Sequence, residues 1–266
     1  MNEEMKFRDW VTDTESVFPY KDLLELEYFK RYRAAYYELP KQGFQLGHRN
    51  YSHLLSYIID LDRFNKLHSN SFAKRLNASK NDWKNFEAVF SEIIVYRFYI
   101  RLVYEGLIKN IQMVKDECDI IIELLDGTKQ YLEVFCVMPY HEIPEPGKFI
   151  IEDVKTHTQE ELASIRQKLL RKIEKQKQFT QPRVNFAVIE LNDASIAGDF
   201  TILSSLSDGY KVNISRETGK IVSSGFDWSK SVFDDECTKH LKGIIYFNLG
   251  DYQSRTLIIN GNFGVG

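Results

Sequence analysis

The chain has 266 residues and is 43% hydrophobic, which excludes an intrinsically disordered protein and allows a substantial buried core. Its net charge of −3 excludes a uniformly basic nucleic-acid binder, so any contact with nucleic acid has to come from a local patch. Its three cysteines show no metal or redox spacing, and no apolar run approaches the ~20 residues that span a bilayer. We therefore expect a cytoplasmic protein with no membrane partner.

The first part of the chain, residues 1–80, is rich in aromatic and charged side chains and contains few strand-like runs. Helical spacing of apolar residues predicts helices at 23–37, 53–67 and 71–76. We expect these helices to form an N-terminal extension that wraps the core, or that offers a surface to a second copy of the chain or to a protein partner.

A longer helix is predicted over residues 82–104. Apolar side chains recur there at three- and four-residue spacing, and Gly106 ends the pattern. This helix carries two glutamates, Glu87 and Glu92, at the edge of its apolar stripe.

The pair Asp126-Gly127, between two apolar and β-branched runs, predicts a β-hairpin. If Leu125 also belongs to the connection, Asp119 lies directly opposite Glu133 and on the same face of the hairpin. A two-residue turn would instead place the two acids on opposite faces. Opposed carboxylates repel by roughly 3–4 kcal/mol at an effective dielectric near 20, a cost that a cation between them removes.

The second half of the chain continues the alternation of helices and strands. Residues 139–158 contain three prolines and are predicted to form a long loop. A helix over 160–179 and a mostly apolar strand over 184–191 follow. The remaining predicted elements are a strand at 111–113, a hairpin of 210–214 and 220–223, a helix near 231–241, and strands at 243–247 and 256–259. This order predicts an α/β fold in which helices flank a mixed β-sheet.

The succession of a helix with an acid, a hairpin with Asp and Glu, and a basic helix resembles the restriction-endonuclease-like PD-(D/E)xK phosphodiesterase superfamily over about residues 82–192. Asp119 matches the aspartate of the motif and Glu133 matches its second acid. Glu92 matches the glutamate of the helix that precedes the sheet. The resemblance implies a restriction-endonuclease-like core.

This resemblance also implies a division of the chain into three parts. Residues 81–195 would form the nuclease-like core, behind the helical extension of residues 1–80. Residues 196–266 would supply C-terminal strands and a helix that complete or extend the core.

The motif lysine, two residues after the second acid, is replaced here by Phe135. In some members of the superfamily this lysine comes from the following helix. Residues 166–178 carry six basic residues against one acid, so a replacement is available. Lys172 flanks the apolar stripe and is expected to lie nearest the sheet, with Lys168 and Lys175 as rivals.

The resemblance implies a nuclease that hydrolyses phosphodiester bonds in DNA or RNA with Mg²⁺ or Mn²⁺, in bacterial restriction or phage defence. Asp119, Glu133 and the Val134 carbonyl would hold the ion, since Mg²⁺ prefers oxygen ligands. Glu92 would bind through water or place a second ion. A lysine would stabilise the charge that develops on the phosphate, which is the role expected of Lys172. The residues expected to contact nucleic acid are Lys168, Lys172, Lys175 and Gln176.

Each of these residues also has a structural interpretation. Asp119 would hydrogen-bond its own turn, and Glu133 would form a buried ion pair with Lys172 or Arg97. The basic helix would be a solvated face, as runs of charge usually are.

Two further alternatives stay open. Glu87 competes with Glu92 for the role of the helix glutamate. The chain as a whole can also be a nuclease-like module that is catalytically inactive because Phe135 replaces the motif lysine. Such a module would bind nucleic acid or a protein partner. Zinc-protease, P-loop, dinucleotide-binding and α/β-hydrolase motifs are absent from the sequence.

Overall fold

The structure is a computed structural model that describes residues 3–42, 49–114, 118–137, 159–176, 179, 181–191, 199–248 and 251–261. It confirms the predicted α/β class, because helices flank a six-stranded mixed sheet. The loop predicted at 139–158 lies outside the described residues. Among the described residues, no helix combines the length and the apolarity needed to cross a membrane.

The N-terminal part is helical, as predicted. Its helices are α1 (Glu3–Val17), α2 (Glu27–Glu38), α3 (Tyr51–Phe64) and α4 (Lys66–Ala78). The sequence did not indicate α1. The predicted helix at 53–67 is split at Asn65, whose side chain accepts hydrogen bonds from the backbone N–H groups of Leu67 (3.0 Å) and His68 (3.3 Å). This side chain acts as an N-cap, so a new helix begins where the apolar spacing alone continued the old one.

The long helix α5 spans Trp83–Tyr104, close to the predicted bounds. The Asp82 side chain caps it by accepting a hydrogen bond from the Asn85 N–H at 3.2 Å, and Gly106 follows it with a φ of 70°. Helix α5 lies between the N-terminal helices and the sheet, so its buried side chains extend well beyond one stripe.

The rest of the described chain forms eight strands and two α-helices. They are β1 (Asn110–Val114), β2 (Cys118–Glu123), β3 (Lys129–Val137), α6 (Gln159–Lys175), β4 (Asn185–Leu191), α7 (Asp199–Leu206), β5 (Tyr210–Ile214), β6 (Ile221–Phe226), β7 (Leu241–Asn248) and β8 (Asp251–Ile259), among the described residues.

The large sheet has the strand order β1-β2-β3-β4-β7-β8. Strands β1, β2 and β3 form an antiparallel meander. Strand β4 is parallel to both β3 and β7, and β8 pairs with β7 in the antiparallel sense. Helix α6 lies between β3 and β4 in the chain.

Strand β4 is buried on both faces, as its apolar sequence predicted. Phe186 and Val188 pack into the apolar cluster formed with the N-terminal helices and α5. Ala187 and Ile189 pack into a second cluster that contains residues of α6 and α7. The alternation follows from the two-residue period of a strand, and it separates the sheet into an α5 face and an α6 face.

The prediction of a helix near 231–241 is wrong. The structure has two short 3₁₀ turns there, Val232–Asp234 and Glu236–Thr238, before β7 begins. Ser231 caps the first turn and Asp235 the second, and Asp235 has extended backbone angles between them. Local side-chain hydrogen bonds of this kind compete with a continuous helix. The predicted hairpin of β5 and β6 is confirmed, and it forms a separate two-stranded sheet.

Candidate active site on the β2–β3 hairpin

The β2–β3 connection has the three-residue form considered above. The Leu124 N–H donates to the Thr128 carbonyl at 2.9 Å, and the Gly127 N–H donates to the Leu124 carbonyl at 3.0 Å. Gly127 has a φ of 85°, which favours glycine because a Cβ is strained there. The Asp126 side chain accepts a hydrogen bond from the Thr128 N–H at 2.8 Å and stabilises the turn.

This turn sets the register of the two strands. Ile120 pairs with Leu132, so the next position along places Asp119 opposite Glu133. Opposite residues of an antiparallel pair share a face. Glu133 also pairs with Ala187 of β4, whose side chain belongs to the α6 face, so both acids lie on that face. The predicted three-residue connection, and the register that places Asp119 and Glu133 on one face, are confirmed.

Asp119 is held by a bond that crosses the hairpin. Its Oδ2 accepts a hydrogen bond from the Val134 N–H at 2.8 Å, just past the last backbone pair of β2 and β3. Burial raises the pKa of Asp119 above its ordinary value, although the Val134 N–H and the charges of Arg75 and Lys172 act in the opposite direction. The aspartate is therefore oriented by the backbone of the strand that carries Glu133.

The negative charges of other carboxylates act on Glu133. Burial raises its pKa to about 8, with further contributions from the Asp119 and Glu92 carboxylates and a smaller opposing effect of Lys172. In the absence of an added cation, the protonated form of Glu133 is thus favoured near neutral pH.

Glu92 of α5, rather than Glu87, is the helix glutamate whose charge acts on the pKa of Glu133, and we call Asp119, Glu133 and Glu92 the carboxylate cluster. Both carboxylate oxygens of Glu92 accept hydrogen bonds from the Arg75 guanidinium. Burial, together with Asp119, raises the pKa of Glu92 to about 7, and the hydrogen bonds from Arg75 limit the rise. The side chain of Glu92 is 8% exposed and that of Arg75 is 39% exposed.

Sequence reasoning missed Arg75. It lies on α4, and the Phe72 ring centroid is 5.8 Å from its Cζ atom. Burial alone lowers the pKa of the guanidinium, but Glu92, Asp119 and Glu133 outweigh that effect and raise it. In the sequence, Arg75 is only an arginine next to an apolar residue, Leu76, which is buried in the structure. This pattern does not identify Glu92, seventeen residues further on, as its partner.

Lys172 of α6 approaches the same carboxylates. Its Nζ atom lies 5.2 Å from the ring centroid of Phe135, the residue at the position of the motif lysine. The ammonium charge acts to lower the pKa values of Asp119 and Glu133. Phe135 itself is buried against Phe179, with ring centroids 6.5 Å apart. A cation from the helix thus lies over the ring that replaces the motif lysine.

Of the other predicted residues, Lys168 precedes Lys172 on α6 and Lys175 follows it. Lys168 and Lys175 are exposed, and Gln176, which follows the last helical residue, is half-buried. Arg97, considered as a partner for Glu133, instead pairs with Asp60 at 3.1 Å.

Glu87 belongs to a second, buried ionic network on the α5 face. Arg49 donates from Nη2 to Glu87 at 2.6 Å and from Nη1 to Glu190 of β4 at 2.8 Å. The Tyr32 hydroxyl also donates to Glu87, at 2.8 Å. The Arg49, Glu87 and Glu190 side chains are each at most 4% exposed, so the network links the N-terminal helices to the centre of the sheet.

The hairpin carboxylates have the donor chemistry of a magnesium site. Mg²⁺ in proteins is typically bound by one or two carboxylates and completes its coordination with water and substrate phosphate. Asp119 and Glu133 supply two carboxylates on one face of the sheet. Within the described ranges, no three histidine, cysteine, aspartate or glutamate side chains are arranged as a metal-binding group.

Comparison with known proteins identifies no relative of this chain: no family model, no curated protein and no solved structure matches it.

Proposed function

We propose that this protein is a divalent-metal-dependent nuclease that hydrolyses phosphodiester bonds in DNA or RNA. The observation that carries this proposal is the register that places Asp119 opposite Glu133 on one face of the sheet, with Lys172 over the Phe135 ring. The strand order, with an antiparallel meander followed by α6 and a parallel strand, supports a restriction-endonuclease-like core.

Asp119, Glu133 and the Val134 carbonyl would hold Mg²⁺ or Mn²⁺. A bound divalent ion polarises the phosphate and lowers the pKa of a water ligand, so hydroxide is available at neutral pH. Asp119 is already oriented by the Val134 N–H, and this hydrogen bond fixes one carboxylate before an ion arrives. Ionisation of Glu133, which burial and its neighbours oppose, would be favoured by the ion.

Lys172 takes the role of the motif lysine. Its ammonium group reaches the hairpin from α6, over the Phe135 ring, and would stabilise the charge that develops on the phosphate. Lys168 and Lys175 extend the exposed positive charge along the same helix. Together with Gln176, they would contact the backbone of the nucleic acid, where each phosphate contact adds affinity that falls with salt.

The proposed setting is the cytoplasm, with nucleic acid as the partner. Bacterial restriction or phage defence is the context that the resemblance to the PD-(D/E)xK superfamily implies. The N-terminal helices would contact a second copy of the chain or a protein partner.

A second candidate function is favoured by Phe135. Its ring is 5% exposed and belongs to the apolar cluster of the α6 face, where the superfamily motif has a lysine. Under this alternative, the protein is an inactive nuclease-like module that binds nucleic acid or a protein partner.

A cleavage assay separates the two functions. Labelled single- and double-stranded DNA and RNA are incubated with the full chain in Mg²⁺, Mn²⁺ or EDTA. We expect cleavage only with a divalent ion. We also expect Glu133→Gln to reduce the rate by at least about 10²-fold, and Lys172→Met to reduce it by about 10²-fold.

The matched control is Glu123→Gln, on the same hairpin but paired with Lys109 rather than with the carboxylate cluster. It should cleave at the wild-type rate. Binding of nucleic acid without cleavage by the wild-type chain would support the inactive module. Cleavage that persists in Glu133→Gln would exclude the proposed site.

A further inference from the structure

We infer that the carboxylate cluster takes a single divalent ion, and that Arg75 occupies the place that a second ion would otherwise fill. This inference rests on the proposed function and assigns a role to a residue outside the segment that resembles the PD-(D/E)xK superfamily. Arg75 is a positioning residue here, because it acts by holding Glu92.

The first observation is the pairing of Glu92. Arg75 donates from Nη1 to one carboxylate oxygen and from Nη2 to the other, so the two planar groups face each other. Bidentate pairs of this kind are the strong, geometrically specific form of an ion pair. Glu92 could bind an ion directly only by giving up at least one of these charge-assisted hydrogen bonds.

The second observation is the place of Arg75 among the charges. The Arg75 guanidinium contacts Glu92, and the charges of Asp119 and Glu133 also act to raise its pKa. Lys172 supplies the other cation of the cluster. Three carboxylates, two cationic side chains and one divalent ion sum to one positive charge. The single negative charge of a phosphodiester neutralises this, whereas a second divalent ion would leave the loaded site strongly positive.

The third observation is how firmly α4 presents the arginine. The Asn65 cap begins the helix, and Phe72 and Leu76 on either side of Arg75 are buried. The Phe72 ring lies 5.8 Å from the Arg75 Cζ atom and supports the guanidinium on one side. The arginine is thus part of the folded scaffold, which is what a fixed substitute for an ion requires.

The number of ions bound is the test. Isothermal titration calorimetry with Mn²⁺ alone, on the full chain, should give one ion per wild-type chain and none for Asp119→Asn. Glu92→Gln should still bind one ion, because Glu92 is not a ligand of that ion. Arg75→Gln should bind two ions, because Glu92 is released. Lys74→Gln, an exposed neighbour on the same helix, is the control and should match wild type.

Two ions on the wild-type chain, or one ion on a folded Arg75→Gln variant, would overturn the inference. So would the loss of all ion binding in a folded Glu92→Gln variant, as expected if Glu92 were a ligand of the single ion. If Arg75→Gln does not fold, the isosteric Glu92→Gln variant decides alone. A wild-type chain that binds no ion would overturn the proposed function as well, whereas metal-dependent cleavage by a two-ion protein would overturn only the inference.

Discussion

The carboxylates of the candidate site oppose the stability of the protein that carries them. Glu92 is buried, Asp119 and Glu133 are half-buried, and the pKa of each is raised. A folded protein retains such an arrangement at a cost, since removing charge from water and placing like charges together both disfavour the ionised state. A site that binds a divalent ion accounts for this cost, because the ion reverses it.

The pH dependence of stability follows from the raised pKa values. Glu133 has an ordinary pKa of 4.5 and a folded pKa of about 8, so between these values the folded chain binds more protons than the unfolded chain. The free energy of unfolding therefore decreases as pH rises through this window. The stabilisation that the folded chain gains from the higher pKa of Glu133 is present in full only below a pH of about 4.5. Glu92, with a folded pKa of about 7, acts in the same direction.

Glu133→Gln should remove much of this effect. We expect its free energy of unfolding in EDTA at pH 8.5 to exceed that of wild type by about 1–2 kcal/mol, and its decrease between pH 5 and 8.5 to be shallower. Urea denaturation at a series of pH values measures both. Glu123→Gln should stay within about 0.5 kcal/mol of wild type, because it loses only one ion pair, to a lysine whose side chain is 59% exposed. A Glu133→Gln variant that is less stable than wild type throughout this range would contradict the electrostatic picture.

At the scale of elements, the hairpin could be predicted because its determinants are local. Asp126 and Gly127 supply the turn chemistry, and the register that brings Asp119 to Glu133 follows from the length of the connection. Other elements depend on signals that apolar spacing does not contain. Side-chain caps at Asn65 and Ser231 divided or prevented helices that the pattern predicted.

The arginines of both ionic clusters could not be found from sequence for a related reason. Arg75 pairs with Glu92 across a helix boundary, and Arg49 pairs with Glu190, which is 141 residues away. A single sequence reports neither contact. A glutamate in the apolar β4 strand indicates a buried partner but does not identify it.

The turn itself can be tested by substitution. Gly127 has a φ of 85° with open space around its Cα, so Gly127→Ala introduces backbone strain without a clash. We expect it to lower the free energy of unfolding by about 1 kcal/mol. Gly225→Ala is the matched control, because Gly225 also has open space but no positive φ. It should change stability by less than about 0.5 kcal/mol. Equal effects of the two substitutions in urea denaturation would count against the left-handed turn.

At the scale of the whole molecule, the N-terminal helices are integral to the fold. One apolar cluster contains Val11, Phe29 and Phe72 together with Phe90 of α5 and Val188 of the central strand. The buried ion pairs of Arg49 with Glu87 and Glu190 connect the same layers. Both the core and the candidate site therefore draw on residues that precede α5.

A fragment of residues 81–266 should consequently fail to fold. It would expose the α5 surface that packs on the N-terminal helices, and it would leave Glu87 and Glu190 buried without Arg49. Removing one partner of a buried ion pair costs about 3–5 kcal/mol, a large share of a typical domain stability. We expect no cooperative thermal transition by circular dichroism, whereas the full chain should show one. A cooperative transition of the fragment would show that the core is independent of the extension.

The most direct measurement of the central claim is anomalous scattering from a crystal of the full chain soaked in Mn²⁺. We expect a single anomalous peak, with oxygen atoms of both Asp119 and Glu133 within about 2.0–2.6 Å of it. A peak that touches only one of these carboxylates, or manganese bound only elsewhere in the molecule, would contradict the proposal that this hairpin is a metal site.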